Sequence, residues 1–345
     1  MIKLISEDSK IYKEYQLSMY LYDCYVENKD AVIDFNLEGP CCRANHLYTI
    51  LDTFCQQTAY LPERITILTG NLLEHHPRYN VVRKPEYWYE VGLIKQHDIK
   101  RPKTTTGPTK HFGIFIGRAT WARAWVSAIL YRYRDKLQQT FHSGYHKNYV
   151  VPRTDGTVDT IGLDDLNRYG CNIIPEVTEF LQQCPIIDND NVDKIKKTKM
   201  FIEPSNDDCY PIQHPANLNI LDWYDNIFVD IVCETRVIGN VFFISEKTWR
   251  CMVARKPFIV VGPGNFLKNL RRLGFRTFHD FWDEGYDEYG PTQRIQEIEK
   301  LIQELSTKTV GEMQQLVNSM QSILDHNFDM FHSLTYEQIE RTFND

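Results

Sequence analysis

Val241-Phe-Phe-Ile-Ser-Glu-Lys-Thr-Trp-Arg250, followed after a short gap by Lys256-Pro-Phe-Ile-Val-Val-Gly262, decides how this chain is read. The β-branched and aromatic run 241–244 predicts a strand. Ser245 is a good N-cap, and Trp249, Met252 and Val253 share one face of the helix it would open. A second buried strand then ends at Gly262-Pro-Gly. Such a βαβ arrangement puts Glu246 and Lys247 at a helix N-terminus beyond a strand's carboxyl end. Open α/β sheets bind ligands there, and the helix dipole favours phosphate. Lys247 could offset diphosphate charge and Glu246 could accept from ribose hydroxyls. The competing reading is a capped surface helix whose Glu and Lys are only solvated.

Working outward, the same alternation recurs. Ala31–Phe35 and Ile65–Thr69 read as strands, and residues 43–58 carry helical spacing through Leu47, Ile50, Leu51 and Phe54. After Ile65–Thr69 comes Gly70-Asn71, then 72–76 as a helix start stopped by Pro77, again the geometry of a ligand-facing loop. Residues 98–110 carry two prolines, a glycine and a run of threonines, the composition of a linker. A fresh pattern follows: a strand over 111–117, Arg118, a helix through Trp121, Trp125, Ile129 and Leu130, and a return strand from Phe141. Phe228-Val-Asp-Ile-Val-Cys233 is a further strand, ending at Glu234. The last third reads as helices: one through Phe266 and Leu270 closed by Gly274, one through Ile295–Leu305, and one opened by a Thr309-x-x-Glu312 capping box and running to Leu324.

Strands alternating with helices imply a mostly parallel sheet in each half. The expected fold is α/β, two Rossmann-like domains facing a cleft, with residues 1–105 on the acceptor side and 106–308 as the nucleotide-binding domain. Residues 309–345 would pack back on the first.

Composition narrows the function classes. The 345 residues are 42% hydrophobic and 25% charged, with no run of about 18 apolar residues that could span a membrane. The start, Met-Ile-Lys-Leu-Ile-Ser-Glu-Asp, turns acidic too soon for a signal peptide. Nine cysteines form no CxxC pair, which favours reduced thiols over zinc. The expected compartment is cytoplasmic, the host cytoplasm if the chain is viral. Net charge is −7, yet between Lys95 and Lys147 eleven Lys or Arg face two Asp. That block suggests an anionic ligand, nucleotide or nucleic acid; the alternative is a solvated linker and helix face.

Phe228-Val-Asp-Ile-Val-Cys-Glu-Thr followed by Phe243-Ile-Ser-Glu-Lys-Thr-Trp resembles the paired donor-site motifs of the α-1,3-fucosyltransferases. In that family a strand ending in Phe-Glu-Asn precedes Tyr-Val-Thr-Glu-Lys and a helix. Phe112-Gly-Ile-Phe-Ile-Gly-Arg with Arg123 resembles the family's strand and arginine-bearing helix, so order agrees over about residues 110–265. The extended pattern, through Leu273-Gly-Phe-Arg-Thr-Phe278 and Asp280-Phe-Trp-Asp-Glu284, also looks like uncharacterised proteins of large bacteriophages. The resemblance implies a GT-B glycosyltransferase with a nucleotide-sugar as co-substrate and no other cofactor. It implies that Lys247 and Arg123, or Arg118 in its place, neutralise the diphosphate, that Glu246 holds the ribose, and that Glu234 lines the donor pocket. Thr235-Arg236 replaces the family's Asn, so the sugar is not secured as fucose, and the first hundred residues carry no resemblance.

Fixed cations can compensate a leaving diphosphate without a metal. No Asp-x-Asp stands at a strand end; Asp188-Asn-Asp190 and Asp207-Asp208 read as turn residues. The acceptor needs a base, for which Glu74 is the first candidate and His75 and His76 the next, against the reading of Glu74 as a solvated carboxylate. Gly262 could form a tight turn beside the nucleotide or merely end a strand. Acceptors left open are a hydroxymethylated pyrimidine in phage DNA, with the basic block tracking phosphates, and a glycan. A non-catalytic nucleotide-binding protein is a further alternative. Substitution of Lys247 or Arg123 is expected to impair donor use and spare folding, because both side chains would belong to a ligand.

Overall fold

The computed structural model describes residues 2–7, 10–12, 14–35, 42, 46–83, 107–116, 120–141, 151–152, 158–159, 163–184, 186 and 223–344, with backbone alone for 2–7, 10–12, 14, 151–152, 158–159, 163, 246 and 344. The chain is mixed α/β and forms two compact units. The first comprises Met1–Trp88, Ile238–Phe243 and Thr335–Asp345; the second comprises Tyr89–Val237 and Ile244–Leu334.

The first unit is built on a five-stranded sheet of β1 (Ile2–Glu7), β2 (Lys10–Tyr12), β3 (Ala31–Phe35), β4 (Ile65–Thr69) and β5 (Asn80–Arg83), in the order β2-β1-β3-β4-β5. Only the β1–β2 hairpin pairing is antiparallel. In β4 the burial alternates, with Ile65, Ile67 and Thr69 inside, the period of a strand. Helix α1 (Glu14–Val26) buries Leu17, Leu21 and Cys24, spaced i, i+4, i+7; α2 (Leu47–Thr58) buries Leu47, Leu51 and Cys55 on the same period. These six join Ile33, Phe35 and Ile67 in one core, each large side chain contributing about 1.5–3 kcal/mol. The β1–β2 hairpin lies ahead of the first strand expected from the sequence.

The second unit carries β6 (Lys110–Ile116), β7 (Leu137–Phe141), β10 (Ile227–Cys233) and β11 (Phe258–Val261), all parallel, in the order β11-β10-β6-β7. A separate short hairpin pairs β8 (Val151–Pro152) with β9 (Val158–Asp159). Every residue of β10 is buried, as for a strand covered on both faces. Helix α3 (Trp121–Tyr131) is buried from Trp121 to Leu130, so it is an interior helix and not an amphipathic one. Thr120 caps it by accepting from the Arg123 amide at 3.4 Å. Helices α4 (Leu163–Arg168), α5 (Ile174–Gln182) and α8 (Pro291–Ser306) pack against it, and the unit also carries α6 (Glu246–Ala254), α7 (Phe266–Arg272), α9 (Val310–Ser319) and α10 (Gln321–Ser333). Helix α9 lies against β6 and β10, and α10 against α6. Among the described residues no helix is long and apolar enough to cross a membrane.

Several sequence expectations need correction. Residues 241–244 form no strand: 241–245 are irregular, and the strand that precedes α6 is β10. Their apolar character has another cause, since Phe242 packs on Phe343 of α11 (Tyr336–Asn344), centroids 5.4 Å apart, within the first unit. Residues 72–76 make a turn and no helix, because Asn71 and its neighbours bond locally and to 240–242. The return strand ends at Phe141 instead of starting there. The capping box at Thr309 is present in full, with Thr309 N–H donating to Glu312 at 2.7 Å and Glu312 N–H to Thr309 Oγ1 at 3.2 Å. The helix it opens breaks at Met320, so Leu324 belongs to α10. Helices α9 and α10 fall in the second unit, and the residues from Thr335 in the first. The linker at 98–110 lies outside the described residues up to 106, as do Asp188-Asn-Asp190 and Asp207-Asp208.

Candidate functional site

In the second unit, chain order and sheet order diverge at one place. From β6 the sheet grows one way to β7, then resumes on the other side with β10 and β11. In doubly wound sheets the crevice beyond the carboxyl ends at such a switch point is where ligands bind. Here it lies between the ends of β6 and β10, and three predicted site residues stand on the elements that follow.

Arg123, in the first turn of α3, is only 5% exposed. Its Nη2 donates to the carbonyls of Cys233 at 3.3 Å and Glu234 at 3.2 Å, holding the end of β10. Glu234 is 1% exposed. Its carboxylate accepts from the Ser245 amide at 3.2 and 3.3 Å and from the Thr248 hydroxyl at 2.5 Å. A carboxylate placed at a helix N-terminus is favoured by the dipole and by the orphan amides, so Glu234 anchors α6 as well as ending β10. Ser245 caps α6 as expected, accepting from the Lys247 amide at 3.3 Å. Lys247 is half-buried, and its Nζ is 3.3 Å from Ser245 Oγ. Arg118 and the side chain of Glu246 lie outside the described residues; the backbone of Glu246 begins α6.

Gly262 follows β11. A Cβ there would meet Val260 Cγ1 at 3.1 Å and the Phe266 ring at 3.4 Å, and its carbonyl accepts from Arg294 Nη1 at 2.5 Å. Arg294, 2% exposed, also donates to the carbonyls of Val237 at 3.3 Å and Tyr289, so one guanidinium joins the segments after β10 and β11 to the one that leads into α8. Burial lowers its pKa, partly offset by the nearby Asp287. Asp287 in turn caps α7 through the Leu267 and Lys268 amides, both at 3.0 Å. Trp125 and Trp249 are fully buried packing residues, as their helical spacing implied.

Behind the site, Asp230 of β10 is 3% exposed and accepts from Tyr224 Oη at 2.7 Å and Cys251 Sγ at 3.3 Å. Burial pushes its pKa up to about 6, and raises Tyr224 and Cys251 well above their usual ranges.

The first unit holds the remaining predicted residues. Glu74 is 7% exposed and is not a solvated carboxylate. It accepts from the Cys42 amide at 2.9 Å, Tyr48 Oη at 2.9 Å and Asn71 Nδ2 at 3.3 Å. His75 is exposed. His76 is half-buried, stacked on Tyr48 at 4.2 Å, and its Nδ1 accepts from the Arg78 amide at 3.2 Å. Burial, with the nearby Cys42 and Glu74, drives the Tyr48 phenol far above its usual range. Sequence reading missed the roles of Asn71, Thr248, Asp230 and Arg294. Two left a signal: Thr248, a hydroxyl three residues after an N-cap, and Asn71, in the Gly-Asn turn after a strand. No protein-family model, curated protein or solved structure matches the chain.

Proposed function

We propose that the chain is a GT-B glycosyltransferase that moves a sugar from a nucleoside-diphosphate sugar to an acceptor hydroxyl, with the second unit binding the donor. One observation carries the reading: the switch point of the parallel sheet coincides with Arg123, Glu234 and the α6 N-terminus bearing Lys247. The motif resemblance to the α-1,3-fucosyltransferases supports it. Lys247 and the α6 amides would receive the diphosphate, Glu246 the ribose, and Arg123 would hold the β10 end while adding positive potential. On the acceptor side His75 takes the role of base, because it is exposed where Glu74 is committed to three donors. That commitment of Glu74 also favours a second reading, a nucleotide-binding protein without turnover.

Thermal shift across UDP, GDP, CDP and dTDP tests the donor site. One nucleotide should stabilise the protein by about 2.7 kcal/mol at a hundredfold excess over Kd, and Lys247→Ala should abolish the shift. No shift with any of the four sinks the donor assignment. Release of the nucleoside diphosphate from its sugar conjugate, lost in His75→Ala, separates transfer from binding alone. For the acceptor, duplex-DNA binding that falls steeply with salt favours a nucleobase hydroxyl; binding that is absent or indifferent to salt favours a glycan.

A further inference from the structure

Helix α1 is apolar on two opposite faces. Leu17, Leu21 and Cys24 point into the core of the first unit. At 3.6 residues per turn, Tyr15, Met19, Tyr22 and Val26 fall within about 60° of one another on the other side. All four are exposed, Tyr15 by 77%. A surface helix ordinarily sets charged and polar residues opposite its buried stripe, and a helix apolar all round is ordinarily covered. Tyr25, also exposed, widens the outer stripe, its ring centroid 6.3 Å from that of Tyr22 and 6.4 Å from that of Tyr60. Leu61, exposed as well, follows Tyr60 in the chain. Of the eight large apolar side chains exposed among the described residues, five stand on this one helix, and a patch so concentrated marks an interaction surface.

We propose that this face is where two copies of the chain meet, α1 against α1. Spacing is the first argument. The steps from 15 to 19, 22 and 26 are four, three and four residues, the seam of a pair of coiled helices, with Tyr25 flanking it. Self-complementarity is the second. A twofold axis across the helix between Met19 and Tyr22 sets Met19 of each copy against Tyr22 of the other, and Tyr15 against Val26, so a large ring meets a smaller side chain each time. Area is the third. The six side chains are exposed by between 42 and 77%. With about 200 Å² for a whole aromatic side chain that amounts to roughly 600 Å², and a specific interface takes about 600–1,000 Å² from each partner. Charge speaks against the anionic alternatives: α1 contains Glu14 and Asp23 and neither Lys nor Arg, so nothing along it attracts the phosphates of lipid or nucleic acid. None of this depends on nucleotide binding.

Sedimentation velocity on the full chain tests the contact. Between about 1 and 100 µM, where modest interfaces associate, the mass should rise from 40.7 kDa toward twice that value. Met19→Glu and Tyr22→Glu each put a carboxylate into the seam and should weaken the dimer by about tenfold or more. Val310→Glu, at an exposed position on α9, should leave it unchanged. A parent that stays monomeric over that range overturns the proposal, as does a dimer that both seam variants leave intact. A monomeric parent that sediments with vesicles of phosphatidylcholine and phosphatidylserine overturns it in favour of a membrane surface. Should the seam variants not fold, hydrogen exchange on the parent decides. Protection of the α1 amides that rises with protein concentration supports the contact, and protection independent of concentration overturns it.

Discussion

The guanidinium of Arg123 reaches the main-chain carbonyl of Glu234 at 3.2 Å, and the Glu234 side chain turns the other way to hold the Thr248 hydroxyl at 2.5 Å. The end of β10 is therefore gripped from α3 on one side and itself grips α6 on the other. Two residues that resemblance assigns to a ligand are thus part of the framework that shapes the switch point.

Arg123 and Lys247 should accordingly behave differently when truncated. Arg123→Ala strands two buried carbonyls, so it should cost about 2–4 kcal/mol of stability as well as donor binding. Lys247→Ala removes a half-buried ammonium and should cost about 1 kcal/mol or less. Urea denaturation midpoints measure both. A loss for Arg123→Ala as small as that for Lys247→Ala would contradict the framework role of Arg123, and the expectation that both substitutions spare folding would then stand after all.

Glu234 and Thr248 should be coupled. Thr248→Val deletes a donor to a buried carboxylate, and Glu234→Gln turns an amide donor toward a donor; each should cost about 1–3 kcal/mol. The double variant should cost less than the sum, since the same bond is lost in both. Additive losses in a double-mutant cycle would show that the contact contributes nothing of its own.

Asp230 gives a pH signature. Its folded pKa is raised to about 6 from 3.8, chiefly by burial, so the folded state binds the extra proton. Its stabilising contribution is full below about pH 4 and is lost as pH rises through about 6, amounting to about 2–3 kcal/mol. Burial raises Glu284 and Asp287 with the same sign. Asp230→Asn should therefore flatten only part of the decline between pH 4 and 6.5 in thermal or urea melts. An unchanged slope would mean that Asp230 ionises without penalty.

Local signals were legible where one segment suffices. The capping box at Thr309, the Ser245 cap and the helical spacing of Trp125 and Trp249 all follow from neighbours along the chain, and each stands in the structure. Parallel α/β sheets were likewise legible from alternating strands and helices. Residues 241–244 misled because an apolar β-branched run records burial and not what covers it; Phe242 is buried against Phe343, a hundred residues on. The turn at 72–76 misled for a related reason of range, Asn71 bonding both to its neighbours and to residues 240–242.

The sequence by itself determined the α/β class, the strands β10 and β11, the Ser245 cap that opens α6, and the charged residue types gathered there. Only the tertiary structure decided that β6 and β10 are neighbours, that Arg123 and Glu234 face one another's chain segments, and that Asn71 holds a segment about 170 residues away. The physical reason is range. Periodicity, capping and turn chemistry act over a few residues, whereas a buried guanidinium, carboxylate or amide must find its partners wherever the folded chain brings them, and no local pattern encodes that address.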